Sequence, residues 1–507
     1  MPKGFAAVKR AATLACLLAG FAGSAQPKDL VGVFEDALKN DPVIRQADAN
    51  RLAARESRPQ AWSALLPQLN GTANVTRDNN VGTQPFFFGN GIVPDSVGVS
   101  TTTRTWGLNL KQNVFSWSNW MTLKAASSQV AQAEATYQAA EQQLILRVAT
   151  AYFTVLTAED TLEADQAALE AISRQLDQAT TRFDVGLIAI TDVEDAKAAR
   201  DTAAATVIAD KRTLATSEDQ LQEITAEKYD RLAKPGTDMP LLNPEPADES
   251  RWVDISLEQN PTLISSRLAA DIARDNVRVA VGGHLPTLDI LAGRSYQNQS
   301  LTESLAGIPS EQFPAQSLAY GTYFNDRQIG LQLTVPLFAG GYTQSKVRQA
   351  EYLWIAAKEG VVQSSRATER QARDAYLGVI SGIARVQALR QALESNQTAL
   401  KATEAGYEVG TRTSVDLLTA RKNLVQAQTN FAVARYDYIV SVLTLRVAAG
   451  TLDRSELTAV NNWLTTSAPT SPAVATPETL SPTVPPAEGT PRPQPESPPP
   501  PQPQGVR

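Results

Sequence analysis

The sequence predicts a mainly helical chain with a small β part, in which one helix–strand–strand–long helix–helix unit occurs twice. Three observations lead there. Landmark motifs recur in the same order at nearly one offset. Apolar and small residues recur at spacings of three and four over very long stretches. Between those stretches lie short segments that alternate with period two.

The duplication carries the rest. AlaLeuLysAsnAspPro, ending at Pro42, matches SerLeuGluGlnAsnPro, ending at Pro261, 219 residues on. LeuLeuProGlnLeu around Pro67 matches HisLeuProThrLeu around Pro286 at the same 219. AsnValPhe at Phe115 matches ProLeuPhe at Phe338, 223 on. RFDVGLIAITDV, with Gly186 and Asp192, matches GYEVGTRTSVDL, with Gly410 and Asp416, 224 on. The expected organisation is a signal peptide at 1–25, a first repeat at 26–227, a linker at 228–252, a second repeat at 253–465 and a proline-rich tail at 466–507.

Lys3, Lys9 and Arg10 precede an apolar run from Ala11 to Gly23, and Gly23 and Ala25 have the spacing of a cleavage site, so Gln26 begins the mature chain. The run is too short to span a bilayer, which needs about 20 residues. Cys16 is the only cysteine and lies inside this run. Thr13 stands where a lipoprotein signal would have Leu, which argues against lipidation. The mature protein then has no thiol or disulfide chemistry.

Each repeat opens on helices of moderate length, 29 to 64 and 252 to 283. Alternating runs follow. Leu69, Gly71, Ala73 and Val75 alternate with polar residues; Trp106, Leu108, Leu110 and Val114 share one face. The second repeat answers with Leu288, Ile290 and Ala292, then Ile329, Leu331, Leu333, Val335 and Leu337. One apolar and one polar face suits a membrane barrel strand, and equally a soluble sheet with one wet face. Residues 78 to 101 and 297 to 323 read as long irregular loops rich in Gly, Asn, Ser and Pro, with ProPhePhePhe exposed at 85 to 88.

Long helices are expected from Trp117 to about Arg182 and from Tyr342 to about Ala405. Shorter partners return from Asp192 to Tyr229 and from Asp416 to Ala449. Their seams mix small and apolar residues in the manner of a coiled coil, and a plain periplasmic coiled coil would share them. After Trp463 come fourteen of the chain's thirty prolines, too many for a packed core.

Several function classes are excluded or weakened. With 46 basic and 53 acidic residues the chain is mildly acidic, unlike a general nucleic-acid binder. The sole histidine, His284, sits beside Pro286 away from any carboxylate cluster, and there is no HExxH pairing or phosphate loop. No catalytic, cofactor-binding or metal-binding residue is predicted.

Four strands cannot close a barrel, and an open edge in lipid leaves backbone groups unsatisfied. If the strands lie in a membrane, copies must share one barrel. Eight strands would be filled by side chains, so a conduit needs three chains or more.

On these motifs, over roughly residues 28 to 465, the chain resembles the TolC family of outer-membrane efflux and secretion channels. That resemblance implies a homotrimer: a twelve-stranded barrel in outer-membrane lipid, continued by a helical tunnel across the periplasm. It also implies docking with a periplasmic adaptor protein and an inner-membrane ABC or proton-driven transporter. The competing reading is a periplasmic coiled-coil adaptor or scaffold.

The two repeat-end motifs mark where each long helix turns back. Gly186 and Gly410 suit turns of positive φ, and Asp192 and Asp416 suit helix starts, where a carboxylate meets free N–H groups. The resemblance implies a second role, in which Tyr407 and Arg412 bond with Thr191 and Asp192 to hold the tunnel entrance closed. Asp416, repeated by symmetry, would form an acidic ring at the constriction. Thr419 stands where the family commonly has a second aspartate, which implies one ring rather than two.

Overall fold

A computed structural model describes residues 27–88, 91–236, 239–306 and 317–464. The signal peptide with Cys16, the proline-rich tail, and the side chains of ProPhePhePhe lie outside the described residues. The first repeat comprises α1 (Leu30–Asn40), α2 (Pro42–Arg55), α3 (Ser57–Ser63), β1 (Gln68–Phe88), β2 (Gly91–Phe115), α4 (Trp117–Asp184) and α5 (Ile190–Thr225). The second comprises α6 (Glu249–Gln259), α7 (Pro261–Val281), β3 (Thr287–Ala306), β4 (Ser317–Thr334), α8 (Tyr342–Glu408) and α9 (Ser414–Ala449), and α10 (Arg454–Asn461) closes the chain. The same succession of helices, hairpin, long helix and return helix runs twice.

Two expectations need correction. The opening helices are not continuous, because Pro42 and Pro261 each occupy the first turn of a new helix. A proline there gives up an N–H that would have no partner anyway, and it fixes φ for a fresh start. Asp41 accepts from the Ile44 N–H at 3.2 Å, and Asn260 accepts from the N–H groups of Thr262 and Leu263 at 3.0 and 3.2 Å. Capping, not helix propagation, decided both boundaries.

Nor are the described parts of 78–101 and 297–323 irregular loops. The strands run on through them to Phe88 and from Gly91, and to Ala306 and from Ser317. Rich in Gly, Asn, Ser and Thr, these stretches are held as strands by ladder bonds, which depend little on side-chain type.

All four strands form one antiparallel sheet in the order β1-β2-β3-β4, so β1 and β4 are free edges. The register joins Leu69, Leu110, Ala292 and Ile329 in one row, and Ala73, Trp106, Tyr296 and Asn325 in another. Paired residues share a face. One face therefore collects the apolar set, and its Trp106 and Tyr296 rings stack at 6.1 Å.

With 68 and 67 residues, α4 and α8 are rods of about 100 Å at ~1.5 Å per residue. Among the described residues, no helix is long and apolar enough to cross a membrane. The main core sits partway along these rods. Val148, Tyr152, Phe153 and Leu156 of α4 pack with Tyr436, Ile439 and Leu443 of α9 and with Leu30 and Phe34 of α1.

The segment between the repeats straps this core. Lys28 and Leu232 form a parallel bridge, and the Tyr152 hydroxyl donates to the Ala233 carbonyl at 2.7 Å. The Lys234 ammonium lies 2.9 Å from Asp160, whose other oxygen accepts from the Tyr436 hydroxyl at 2.6 Å. Burial pushes Glu159, beside them, above the usual carboxylate range despite Lys234.

Candidate functional site

The two turns at the far end of the long helices resemble each other in backbone and differ in chemistry. After α4, Gly186 adopts φ +77°, its N–H donating to Phe183 at 2.8 Å, while the Leu187 N–H donates to Arg182 at 2.9 Å. After α8, Gly410 adopts φ +80°, and the N–H groups of Thr411 and Arg412 both donate to the Gly406 carbonyl, at 2.8 and 3.2 Å. Each closes the last carbonyls of a helix through a left-handed residue, a conformation that costs glycine little.

The return helices start differently. Thr413 caps α9: its hydroxyl accepts from the Asp416 N–H at 3.2 Å, and the Asp416 carboxylate accepts from the Thr413 N–H at 3.0 Å and its hydroxyl at 2.9 Å. These bonds, with the nearby Arg412 cation, hold Asp416 below the usual carboxylate range. At the same place before α5 stands Ala189, which has no hydroxyl, and no side chain caps that helix. Asp192 sits in the first turn as a dipole-complementing acid, not as the bonded helix starter expected of it.

Tyr407 lies in the last turn of α8 with the Arg182 guanidinium 5.3 Å from its ring centre. Arg421 of α9 pairs with Glu404 of α8 at 3.1 Å. Among the described residues of one chain, no hydrogen bond joins Tyr407 or Arg412 to Thr191 or Asp192. The hydroxyl of Thr419 is turned back onto the Val415 carbonyl at 2.8 Å. His284 ends a short 3-10 turn, Gly282–His284, away from this tip. No group of His, Cys, Asp and Glu suited to a metal ion occurs among the described residues.

Sequence reasoning missed three features, two at this end and one further along the rods. Arg182 is one, a cation against Tyr407 that only tertiary packing reveals. The second is an apolar rim: Val185 is 67% exposed, Leu187 73% and Val409 74%. The signal was present, because all three stand in turns where no helix face could bury them.

The third is a pair of acids on neighbouring helices, Asp165 of α4 and Asp210 of α5. Burial and the facing carboxylate push Asp165 up to about 6. Asp210 Oδ2 is closed to solvent and lacks a donor among the described residues. A proton between the two carboxylates would satisfy both. The site as a whole is structural and electrostatic: hinges, caps, ion pairs and an exposed apolar rim at the end of paired rods.

Comparison with known proteins follows the same outline. Residues 33–227 and 252–451 match the outer membrane efflux protein family. The outer membrane protein TolC of Escherichia coli is 35% identical over 463 residues, covering 91% of this chain and 90% of that protein. The alkaline protease secretion protein AprF of Pseudomonas aeruginosa is 28% identical over 423 residues, covering 83% and 84%. The crystal structure of the Campylobacter jejuni CmeC outer membrane channel superposes with a TM-score of 0.66 at 20% identity, covering 86% of this chain and 89% of that one.

Proposed function

The chain belongs to the outer membrane efflux protein family, a family of outer-membrane channels, and from that premise we propose that three copies assemble into one passive conduit for efflux or type I secretion. One observation carries the reading. A four-stranded sheet with two free edges and one apolar face continues into helical rods about three times longer than a bilayer's hydrocarbon core is thick. Free edges in lipid must be paired, and copies of the same sheet pair them. Three copies give twelve strands, enough to leave a lumen. The resemblance supplies the number three.

The tip supports docking and gating. Its apolar rim, Val185, Leu187 and Val409, suits a periplasmic adaptor, which in turn joins an inner-membrane ABC or proton-driven transporter. In the closed state Tyr407 and Arg412 bond with Thr191 and Asp192 of facing helices, and the three copies of Asp416 form an acidic ring at the constriction. Asp416 suits that task, because its cap bonds keep it ionised. The secretion reading draws on the name of AprF, a protease secretion protein. Cargo is chosen by the transporter beneath.

Fractionation followed by native mass measurement tests the assembly. The expected species is an outer-membrane oligomer of three chains that dissociates only on heating. A soluble periplasmic monomer would replace this reading with the coiled-coil scaffold.

A further inference from the structure

Charge is sorted between the two faces of the sheet. Cross-strand register puts Arg77, Arg104, Arg294 and Arg327 all on the apolar face, the face of Leu69, Trp106 and Ile329. Asp78, Asp289 and Asp326 all fall on the polar face, where Lys111 lies 3.2 Å from Asp289. Among the described side chains, the apolar face carries no carboxylate. None of its four arginines makes an ion pair there.

The position of these cations is as informative as their sign. Arg294 and Arg327 are direct cross-strand partners. Two like charges side by side on a sheet repel each other, and without a shared anion that arrangement is unfavourable. Their row lies directly beneath the Trp106–Tyr296 stack, and the row of Arg104 and Tyr323 lies directly above that stack.

Height follows from the strands. From Leu333 to Arg327 is six residues, about 20 Å of strand at ~3.4 Å per residue and about 15 Å of height for strands tilted near 40°. An apolar band about 25 Å tall would then hold the pair in its outer half, under the aromatic row that marks its rim. Guanidinium groups there are costly in hydrocarbon, and their long stems let them reach toward the head groups on the outer side. Arg104 and Arg77 continue the same line outward.

We propose that Arg294 and Arg327, with Arg104 above them, hold the phosphate groups of a phosphorylated lipid of the outer leaflet. The inference rests on the barrel reading given above. A guanidinium pair offers two planar forks, which match phosphate oxygens bidentately, and no carboxylate among the described side chains of that face competes for them. The Trp106–Tyr296 stack, one row further out than the pair, would lie against the lipid's backbone between the phosphates held by the pair and Arg104. The lipid's anion would turn a repelling arginine pair into a bridge between β3 and β4, next to the edge where the neighbouring copy joins.

The test uses the assembled full-length protein in detergent, with diphosphorylated lipid A as probe and the same lipid stripped of its phosphates as comparison. Native mass spectrometry is expected to show at least tenfold weaker retention of the stripped lipid. Arg294→Gln with Arg327→Gln should weaken retention of the phosphorylated lipid as much, whereas Lys111→Gln on the polar face should leave it unchanged. Equal retention of both lipids overturns the proposal, as does an equal loss in Lys111→Gln. Should the double variant fail to assemble, the two lipids on the natural chain still decide. Loss of phosphate dependence in an intact outer-membrane oligomer refutes this site alone, while absence of the natural chain from the outer membrane refutes the channel reading.

Discussion

At the start of α9 the Thr413 hydroxyl closes a capping box with Asp416, and at the start of α5 the same place is filled by Ala189. That single side chain separates two turns that share a backbone. It leaves Thr191 and Asp192 without local partners, available to residues from another helix. If Tyr407 and Arg412 are those partners, Tyr407→Phe with Arg412→Ser raises single-channel conductance in planar bilayers, and an unchanged conductance removes them from the gate. The Asp165–Asp210 pair gives a second prediction at this scale. An unfolded aspartate titrates near 3.8, while Asp165 in the fold titrates at about 6. Its stabilising contribution is therefore complete below about pH 4 and is lost as pH rises through 6. Asp165 is only half-buried, so the effect is discounted for solvent to on the order of 1 kcal/mol. Asp210→Asn, which can donate without a shared proton, should raise the melting temperature at pH 7.5 and flatten its slope between pH 4 and 6. Arg421 and Lys422 of α9 border the same cleft, so the slope measured with each replaced by Gln would show how far they share the effect.

At the scale of elements, the ends of helices govern the layout more than their middles. Gly410 and Gly450 both have positive φ, at +80° and +76°, yet they answer to different constraints. Nothing lies within 4 Å of a Cβ placed on Gly410, whereas one on Gly450 would sit 2.5 Å from the Gln259 carbonyl oxygen and 2.7 Å from Asn260 Cα. Those are backbone atoms at the α6–α7 junction, and they cannot swing aside. Gly410→Ala should cost about 1 kcal/mol of backbone strain and leave assembly intact. Gly450→Ala should abolish the heat-resistant oligomer, because the end of α9 must part from that junction; equal yields for the two variants would show that the junction yields. Asn260 adds to the same contact, donating to the Ala448 carbonyl at 3.0 Å.

For the molecule as a whole, the core fixes how two long helical hairpins lie against each other. Phe153 and Tyr436 stack at 5.7 Å in its middle, and Leu457 and Val460 of α10 close one side. The match to the family model runs to residue 451, and this core closes by Leu464. A chain stopped after Ser467 should therefore assemble and conduct as the full chain does. A truncated protein that reached the outer membrane as monomer would assign the proline-rich tail a role in assembly.

By itself the sequence determined the duplication, the long helices and the apolar-to-polar alternation of the strands, because each is a periodic property that repeats over many residues. It also marked Gly186 and Gly410, whose backbone conformation is local. Helix breaks at Pro42 and Pro261 were legible too, but the longer apolar period around them masked the cap. Four things needed the tertiary structure. The strands run through glycine-rich and asparagine-rich segments because ladder partners, not propensity, hold them. Arg182 meets Tyr407, and Asp165 meets Asp210, across helices that the chain joins only through a distant turn or a second repeat. Four arginines on one face and three aspartates on the other became visible only when register assigned each residue a side. Period reports what a residue does for its own element, whereas contacts between elements depend on how those elements are set against one another, and only packing decides that.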